Sequence, residues 1–460
     1  MVAVSRRIAL SILNGLDDSN AFPVRLLDRA FEREPQLIRK DRALATELVY
    51  GVLRWRSRLD WVICQLSKTP IRKIDPFVLN IIRLGLYQIL FHSRIPPSAA
   101  VNDAVEMAKD REPFWVVRFV NGVMRSAARR AKEVPLPDYA DDPVQAIAIR
   151  ESHPLWLVER WMERLGVEET KRLCRANNQV PAVTVRANTL KVSRQELLNS
   201  LRDHVRQITP TRFAPDGLSV RGLRHAVADI PSFKDGWFQV QDEAAQLVTH
   251  LLDPKPGETV LDACAGFGGK TGHIAQLMKD RGKIKAMEKQ SWKLHQLKTS
   301  LARLGISAVT TWHHDLSESI SVSLSGTFDR ILLDAPCSGL GVLRRNPDAK
   351  WKKTEMDLNR LRADQLHFLG CLAPLIKRGG RLVYCVCSLE PEEGEDVVED
   401  FLKNQAQFVI DREPVGLLDV DERLVDSSGF FRSLPHEHDM DGFFAVRLKR
   451  TNSRPYKVRT

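Results

Sequence analysis

Two cysteines carry the strongest chemical signal in this chain. Cys337 lies in Leu333-Asp334-Ala335-Pro336-Cys337-Ser338-Gly339, and Cys387 in Leu382-Val383-Tyr384-Cys385-Val386-Cys387-Ser388. Each follows a short apolar run that reads as a strand, and strand ends are where open α/β sheets place ligands and reacting groups. A thiol reacts as its thiolate, and a free cysteine ionises only near pH 8.5, roughly, so a reactive one needs a tuned setting. Two such thiols downstream of a glycine-rich loop point to covalent catalysis on a base rather than to a disulfide or a metal. On the residues alone the two are not ranked: either could be the nucleophile. The other cysteines are Cys64, Cys174, Cys264, Cys371 and Cys385. They show no C-x-x-C zinc spacing, and an odd count fits reduced thiols. Cys371 and Cys385 read as small apolar residues of buried strands. His313 and His314 have no evident third ligand, so no metal is expected.

The glycine-rich loop is Val260-Leu261-Asp262-Ala263-Cys264-Ala265-Gly266-Phe267-Gly268-Gly269-Lys270-Thr271. It reads as strand, loop, helix. Glycines let backbone approach a ligand, and the helix N-terminus that follows favours an anionic group. Alone, such a loop is equally a tight βα turn. Glu288 at the end of the next expected strand is placed to hold ribose hydroxyls, and Asp315 ends the strand after that. Gly269-Lys270-Thr271 resembles the end of a P-loop, but the first glycine of that motif would fall at Cys264, which disfavours it. A ligand with a carboxylate, such as the methionine part of S-adenosylmethionine, suits this helix start. Candidate cofactor residues are Cys264, Ala265, Gly266, Phe267, Gly268, Gly269, Lys270, Glu288, Asp315 and Asp334.

These groups need a sheet to hold them. From about Phe238 to Lys449, strand and helix patterns alternate: Thr259 to Cys264, Lys283 to Met287, Val309 to His313, Arg330 to Leu333, Arg381 to Cys385 and finally Phe443 to Leu448. That alternation predicts an α/β domain with a doubly wound parallel sheet. The part up to about Ala131 predicts a helix bundle instead. Its helices are Arg6 to Leu13 (broken by Asn14-Gly15), Ala43 to Trp55, Trp61 to Leu66, Pro76 to Phe91, Ser98 to Lys109 and Phe114 to Arg130. A Pro- and Asp-rich stretch from Val134 to Pro143 reads as a linker. A small α+β segment, 144–235, follows it. That segment has strand alternation in Ala182 to Asn188 and a helix Arg194 to Leu201 capped by Ser193. The expected domains are therefore 1–133, 144–235 and 236–450.

The chain has 460 residues, 69 basic against 58 acidic, for a net charge of +11. That balance makes a polyanionic partner plausible without requiring one. No apolar run is long enough to span a bilayer, and Met1 to Arg7 lacks a cleavable secretory pattern, so a cytoplasmic protein without membrane association is expected. Arg344, Arg345 and Lys350, with Lys352 and Lys353, follow the Cys337 loop and are candidates for phosphate contacts with a polyanion. Arg125, Arg129, Arg130 and Lys132 are a second such group.

Three stretches resemble the Sun family of RNA 5-methylcytosine methyltransferases: Asp262 to Thr271, Asp334 to Trp351 (Asp-Ala-Pro-Cys-Ser-Gly-Leu-Gly-Val-Leu-Arg-Arg-Asn-Pro-Asp-Ala-Lys-Trp) and Val383 to Glu393. The segments Ile95 to Val105 and Phe119 to Val123 are similar to the NusB-like RNA-binding domain of the bacterial members that act on 16S rRNA, and the likeness extends over nearly the whole chain. The resemblance implies a Rossmann-like class I methyltransferase domain preceded by an all-α NusB-like bundle, with S-adenosyl-L-methionine as cofactor. It implies an unpaired or flipped cytosine of 16S rRNA as substrate and a monomeric enzyme. It also implies roles: Cys387 as nucleophile at cytosine C6, Asp334 near N3, Cys337 assisting release. DNA cytosine-C5 enzymes instead use the thiol of a Pro-Cys loop, here Cys337. Gly266 and Phe267 stand where the family has alanine and proline, Glu288 where it has aspartate, and Val386 where it has threonine. The Phe267 and Val386 departures favour one alternative, an RNA-binding or assembly factor with a decayed methyltransferase half, which intact Lys270, Asp334, Cys337 and Cys387 oppose. A methyltransferase acting on tRNA or DNA is another, because the sequence does not fix the nucleic acid.

Overall fold

The structure, a computed structural model, describes residues 3–17, 21–318, 320, 322–413 and 424–451. The chain divides into two compact units: Met1–Gln179 with Leu343–Lys353, and Val180–Val342 with Thr354–Thr460. Among the described residues no helix is long and apolar enough to cross a membrane.

The first unit is helical. Its principal helices are Val4–Asp17, Pro23–Arg33, Arg39–Leu66, Pro76–Phe91, Pro97–Lys109, Phe114–Arg130, Pro143–Arg150, Leu155–Leu165 and Val167–Asn177. Pro76–Phe91 is the centre: Ile81, Ile82, Leu84 and Leu86 are fully buried, as expected of a helix apolar on every side. Asp75 caps its start by accepting from the Phe77 amide at 2.9 Å, with Pro76 at the first helical position. Its polar residues are matched. Arg83 forks onto Asp60 at 2.7 and 2.8 Å, and Asn80 reaches Asn14 and Asp17 at 2.9 Å each. Those last bonds lie on Val4–Asp17, which runs through Asn14-Gly15 rather than breaking there. Pro23–Arg33, not expected from the sequence, fully buries only Pro23 and Leu27 and packs Leu26, Ala30 and Phe31 partly against the core.

The expected helices ending at Trp55 and starting at Trp61 are one helix, Arg39–Leu66, with non-helical backbone at Trp55 (φ −109°, ψ 19°). A regular helix would bond the Ser57 amide to the Leu53 carbonyl. Here the Ser57 amide donates to Ser152 Oγ at 2.9 Å, and the Leu53 carbonyl accepts from Trp351 Nε1 at 2.6 Å instead. The neighbouring Arg54 carbonyl accepts from Lys350 Nζ at 3.0 Å, while Arg54 Nη2 donates to the Arg344 carbonyl at 3.0 Å. The distortion thus supplies acceptors for Leu343–Lys353, a segment that belongs to this unit although it lies far along the chain.

The second unit holds two sheets. β1 (Val183–Ala187), β2 (Gln207–Pro210), β3 (Gly217–Arg221) and β4 (Phe238–Val240) form an antiparallel sheet in the order β2-β3-β1-β4. β1 and β3 both alternate in sequence, β3 with Leu218 and Val220 buried and Ser219 and Arg221 turned outward. Ser193 and Glu196 form the capping box of the helix Arg194–Leu201. The larger sheet comprises β5 (Thr259–Asp262), β6 (Lys283–Glu288), β7 (Val309–His313), β8 (Phe328–Asp334), β9 (Ile376–Val386), β10 (Phe408–Ile410), β11 (Phe430–Ser433) and β12 (Phe443–Arg450), in the order β10-β12-β9-β8-β5-β6-β7 with β11 beside β12. β5 to β9 run parallel; β12 is antiparallel to β9, β10 and β11. The sheet is therefore mixed at one edge. The chain leaves β5 toward β6 on one side and returns as β8 on the other. That reversal makes the carboxyl ends of β5 and β8 the crevice where such sheets bind ligands.

Lys350 is 1% exposed. Burial draws its ammonium down from the usual 10.5 to about 7, with Arg54 and Glu151 as charged neighbours and the Cys174 thiol beside it. Between pH 7 and 9 this lysine is protonated in the unfolded chain and increasingly neutral in the folded one, so its own contribution to stability rises with pH. The buried thiols Cys174, Cys264, Cys337 and Cys385 act in the opposite sense from about pH 8.5, where unfolded thiols ionise. The lysine's share is therefore read as a difference: in chemical denaturation from pH 7 to 9, the slope of unfolding free energy against pH is expected to be higher in the wild type than in Lys350→Met by up to about 1.4 kcal/mol per pH unit.

Candidate active site

The loop after β5 is tight and faces open space. Gly266 (φ 55°) and Gly268 (φ 83°) occupy the left-handed region, which glycine enters without steric cost. A Cβ on Gly268 would approach Leu297 Cγ to 2.8 Å, whereas one on Gly266 or Gly269 would meet nothing within 4 Å. Glu288, at the end of β6, is 7% exposed. Its Oε2 accepts from the Gly266 amide at 3.1 Å and its Oε1 from the Gln290 amide at 3.0 Å. Each oxygen keeps a lone pair for a further donor. The half-exposed Phe267 ring sits edge-on to Trp292 at 5.5 Å. Asp315 lies just beyond β7, accepting from the Ser317 amide at 3.0 Å, with Lys289 Nζ 4.0 Å away. Cys264 and Ala265 complete the loop, the Ala265 amide donating to the Met287 carbonyl at 2.8 Å. Burial and nearby carboxylates push the Cys264 thiol well up, so it remains protonated.

β8 and β9 are parallel neighbours with Asp334 opposite Cys385. The loops leaving them therefore start side by side, and the Sγ atoms of Cys337 and Cys387 lie 3.1 Å apart. Asp334 accepts from Lys270 Nζ at 2.6 Å on one oxygen and from Cys385 Sγ at 3.4 Å on the other. Lys270 comes from the first turn of the helix after the glycine loop, so one ion pair joins that loop to the thiol strands. Burial pulls the Lys270 ammonium down, but Asp334 with the Cys385 and Cys387 thiols outweighs it and holds the pKa above the usual lysine value. Contact with Cys387 and then burial push Cys337 well up; it stays a thiol at neutral pH. Cys385 is raised too, by burial and by Asp334.

Residues 249–449 match the 16S rRNA methyltransferase RsmB/F family, residues 3–129 the NusB family, and residues 153–225 the ferredoxin-like domain of RsmF/B-like methyltransferases. The chain is 38% identical over 447 residues to the probable ribosomal RNA small subunit methyltransferase B of Synechocystis sp., covering 97% of this chain and 99% of that one. The chain belongs to the ribosomal RNA small subunit methyltransferase B family. The Bacillus subtilis relative of the same description is 37% identical, with 97% and 98% covered. The crystal structure of PH0851 superposes with a TM-score of 0.80 at 26% identity, covering 98% of this chain and 100% of that one. A methyltransferase homologue from Pyrococcus horikoshii covers 67% of this chain and 99% of its own, with a TM-score of 0.56 at 28% identity. This chain is thus an rRNA methyltransferase, and S-adenosylmethionine is its expected cofactor.

The site fits that cofactor. Open space lies before Gly266 and Gly269, Glu288 has unspent lone pairs, and Asp262, 1% exposed, leaves Oδ1 without a partner while Oδ2 accepts from Thr271 Oγ1 at 2.6 Å. Burial raises the Asp262 carboxyl to about 7. Asp262 is not among the residues the sequence singles out, although its position at the end of β5 is a usable signal. Glu393 is not among them either. It is fully buried and accepts from Ser338 and Ser388, the residues after the two thiols. Nothing in the acidic run Glu390 to Glu395 distinguishes that carboxylate.

The proposed phosphate contacts need correction. Arg344 and Lys350 are 2% and 1% exposed. Lys350 is committed to the Arg54 carbonyl within the first unit, and the backbone of Arg344 receives Arg54. Buried and internally bonded, they cannot meet a phosphate; Arg345 is half-buried in the same segment. Cys371 lies on the helix Glu355–Leu372 and is not a buried strand residue.

If Glu288 holds the cofactor, saturating S-adenosylmethionine at a hundred times its dissociation constant stabilises the protein by about 2.7 kcal/mol. Thermal or denaturant unfolding of the wild type is expected to show that increment. The Glu288→Gln variant is expected to keep most of its ligand-free stability and lose most of the increment.

Proposed function

We propose that this chain methylates C5 of a cytosine in 16S rRNA through a covalent bond between Cys387 and C6. The observation that carries the reading is the pair of sulfurs 3.1 Å apart beside the Asp334–Lys270 ion pair. Cytosine C5 is a poor nucleophile until a thiolate adds at C6. The Cys387 sulfur forms the S–C6 bond, the C5–C6 π pair shifts into C4–C5 and the C4–N3 π pair onto N3. N3 takes the proton the thiol gives up and later releases it to solvent; Asp334 accepts a hydrogen bond from that N3–H. C5 then takes a methyl group, the cofactor supplying it as an electrophilic sulfonium. Release requires loss of the C5 proton and of the S–C6 bond. Cys337, protonated at rest, gives its proton to the departing Cys387 sulfur and takes the C5 proton in exchange, so both sulfurs end as thiols. The contact between them supports this relay; giving attack to Cys387 rests on the family resemblance of its loop.

Reaching C5 requires an unstacked base, which costs a few kcal/mol, roughly, and least in an unpaired segment. The NusB-like unit offers a groove of ≈ 580 Å³ lined by Asn102, Asn121, Arg125 and Arg129, among others. Arg125 and Arg129 are exposed on its rim, which supports phosphate contact there in place of Arg344 and Lys350.

Labelled-methyl transfer to small-subunit rRNA tests the assignment. Cys387→Ala is expected to abolish transfer and form no adduct. Cys337→Ala is expected to leave a covalent RNA adduct visible on a denaturing gel. The opposite pattern reverses the roles. For the groove, Arg125→Gln with Arg129→Gln is expected to weaken rRNA binding and reduce the log–log salt slope by about 1 per lost contact. An unchanged slope removes that surface from the interface.

A further inference from the structure

We propose that Glu393 is the positioning residue that sets the spacing of the Cys337 and Cys387 sulfurs. Each thiol is followed by a serine, and both serines end on this one carboxylate. Oε1 accepts from the Ser338 amide at 2.7 Å and from Gln365 Nε2 at 3.2 Å. Oε2 accepts from Ser338 Oγ and Ser388 Oγ, each at 2.5 Å. Four donors on two oxygens fill the capacity of an ionised carboxylate, which only accepts. All the side chains involved are buried: Glu393, Ser388 and Gln365 at 0% exposure and Ser338 at 3%.

The network also reaches the strand and loop that carry the thiols. Gln365 Nε2 donates to the Pro336 carbonyl at 3.0 Å, just before Cys337. The hydroxyl of Tyr384 on β9 donates its one proton to the Glu393 carbonyl at 2.5 Å and lies 3.1 Å from Gln365 Oε1. Parallel pairing of β8 and β9 ends at Asp334 and Cys385, so beyond those residues no ladder holds the loops in register. Glu393 takes over there, together with the bond from the Gly341 amide to the Cys387 carbonyl at 3.0 Å. A buried carboxylate with neutral donors is costly unless every bond is made. Displacement of either serine therefore leaves a desolvated charge short of a partner. Burial raises the Glu393 pKa while the serine and glutamine bonds oppose the rise.

The inference rests on the catalytic roles proposed for the two thiols, but its first test is independent of them. Diamide takes one hydrogen from each of two thiols, joining the sulfurs and becoming the hydrazine. The rate of Cys337–Cys387 closure in the full chain, followed by peptide mass with Cys337→Ser as the blank, therefore reports how the sulfurs are held. Replacing a charged hydrogen-bond acceptor is expected to slow closure by about tenfold or more in Glu393→Gln, with Glu393→Asp in between. Methyl transfer is expected to fall in kcat by a similar factor, with the KM for S-adenosylmethionine within about twofold, because the cofactor loop makes no bond to Glu393. Should Glu393→Gln fail to fold, Ser388→Ala, which removes one of the four bonds to the carboxylate along with the Ser388 contacts to Ser338 Oγ and the Glu390 amide, is read the same way with a smaller slowing. Closure in Glu393→Gln at the wild-type rate overturns the proposal. Slowed closure with undiminished methyl transfer leaves the positioning role standing and overturns the catalytic roles of the thiols.

Discussion

A carboxylate removed from water must satisfy its lone pairs inside the protein, and Glu393 does so with the residues next to both thiols. Much of the site follows from that requirement. β8 and β9 bring the two loops to the same sheet end, but their ladder stops at Asp334 and Cys385. Beyond it the loops are ordered by side-chain bonds and by close backbone approach. A Cβ on Gly341 would come within 2.0 Å of the Gly442 carbonyl oxygen, so only glycine lets the Cys337 loop pass that close. The outcome is a rigid cup in which two sulfurs touch without being joined.

Charge balance in that cup is asymmetric. Lys270 is the cation facing Asp334, while Cys337 and Cys385 are raised and stay protonated. An enzyme that keeps several thiols in one cleft must ionise few of them at once, because neighbouring anions in a poorly solvated site repel strongly. Lys270 arrives on the same turn of chain as the glycine loop. Ordering that loop therefore also delivers the cation, and the donor side and the base side of the reaction share one structural support.

The chain that leaves the Cys337 loop runs directly into Leu343–Lys353, which is built into the helical unit. The distortion at Trp55 makes this possible, since a regular helix has no free carbonyls to offer. Lys350 and Lys352, part of what looks like an RNA-facing patch in sequence, instead fasten that segment, together with Trp351. A lysine or arginine in a motif next to a catalytic loop is as able to satisfy backbone acceptors as to bind phosphate. Only burial separates the two roles.

Much of the architecture is legible in the amino-acid order. The bundle, the alternating α/β half, the glycine loop and the two thiol loops all announce themselves through local periodicity and turn chemistry, which act over a few residues. The strands β5 to β9 and β12 lie where apolar runs predict them. The antiparallel strands β2 and β4 are silent because three or four residues are too few to set a period. β3 and Pro23–Arg33 do carry a pattern, Leu218 and Val220 in one and Leu26, Leu27, Ala30 and Phe31 in the other, which short length and charged neighbours make easy to pass over. The tertiary structure alone decided that Lys270 spends its charge on Asp334, that Glu393 holds the two serines, and that Arg344 and Lys350 point inward. Each of these depends on groups brought together from distant parts of the chain, and on whether water is excluded once they meet. The sequence by itself determined which side chains could do the chemistry; packing decided which of them meet.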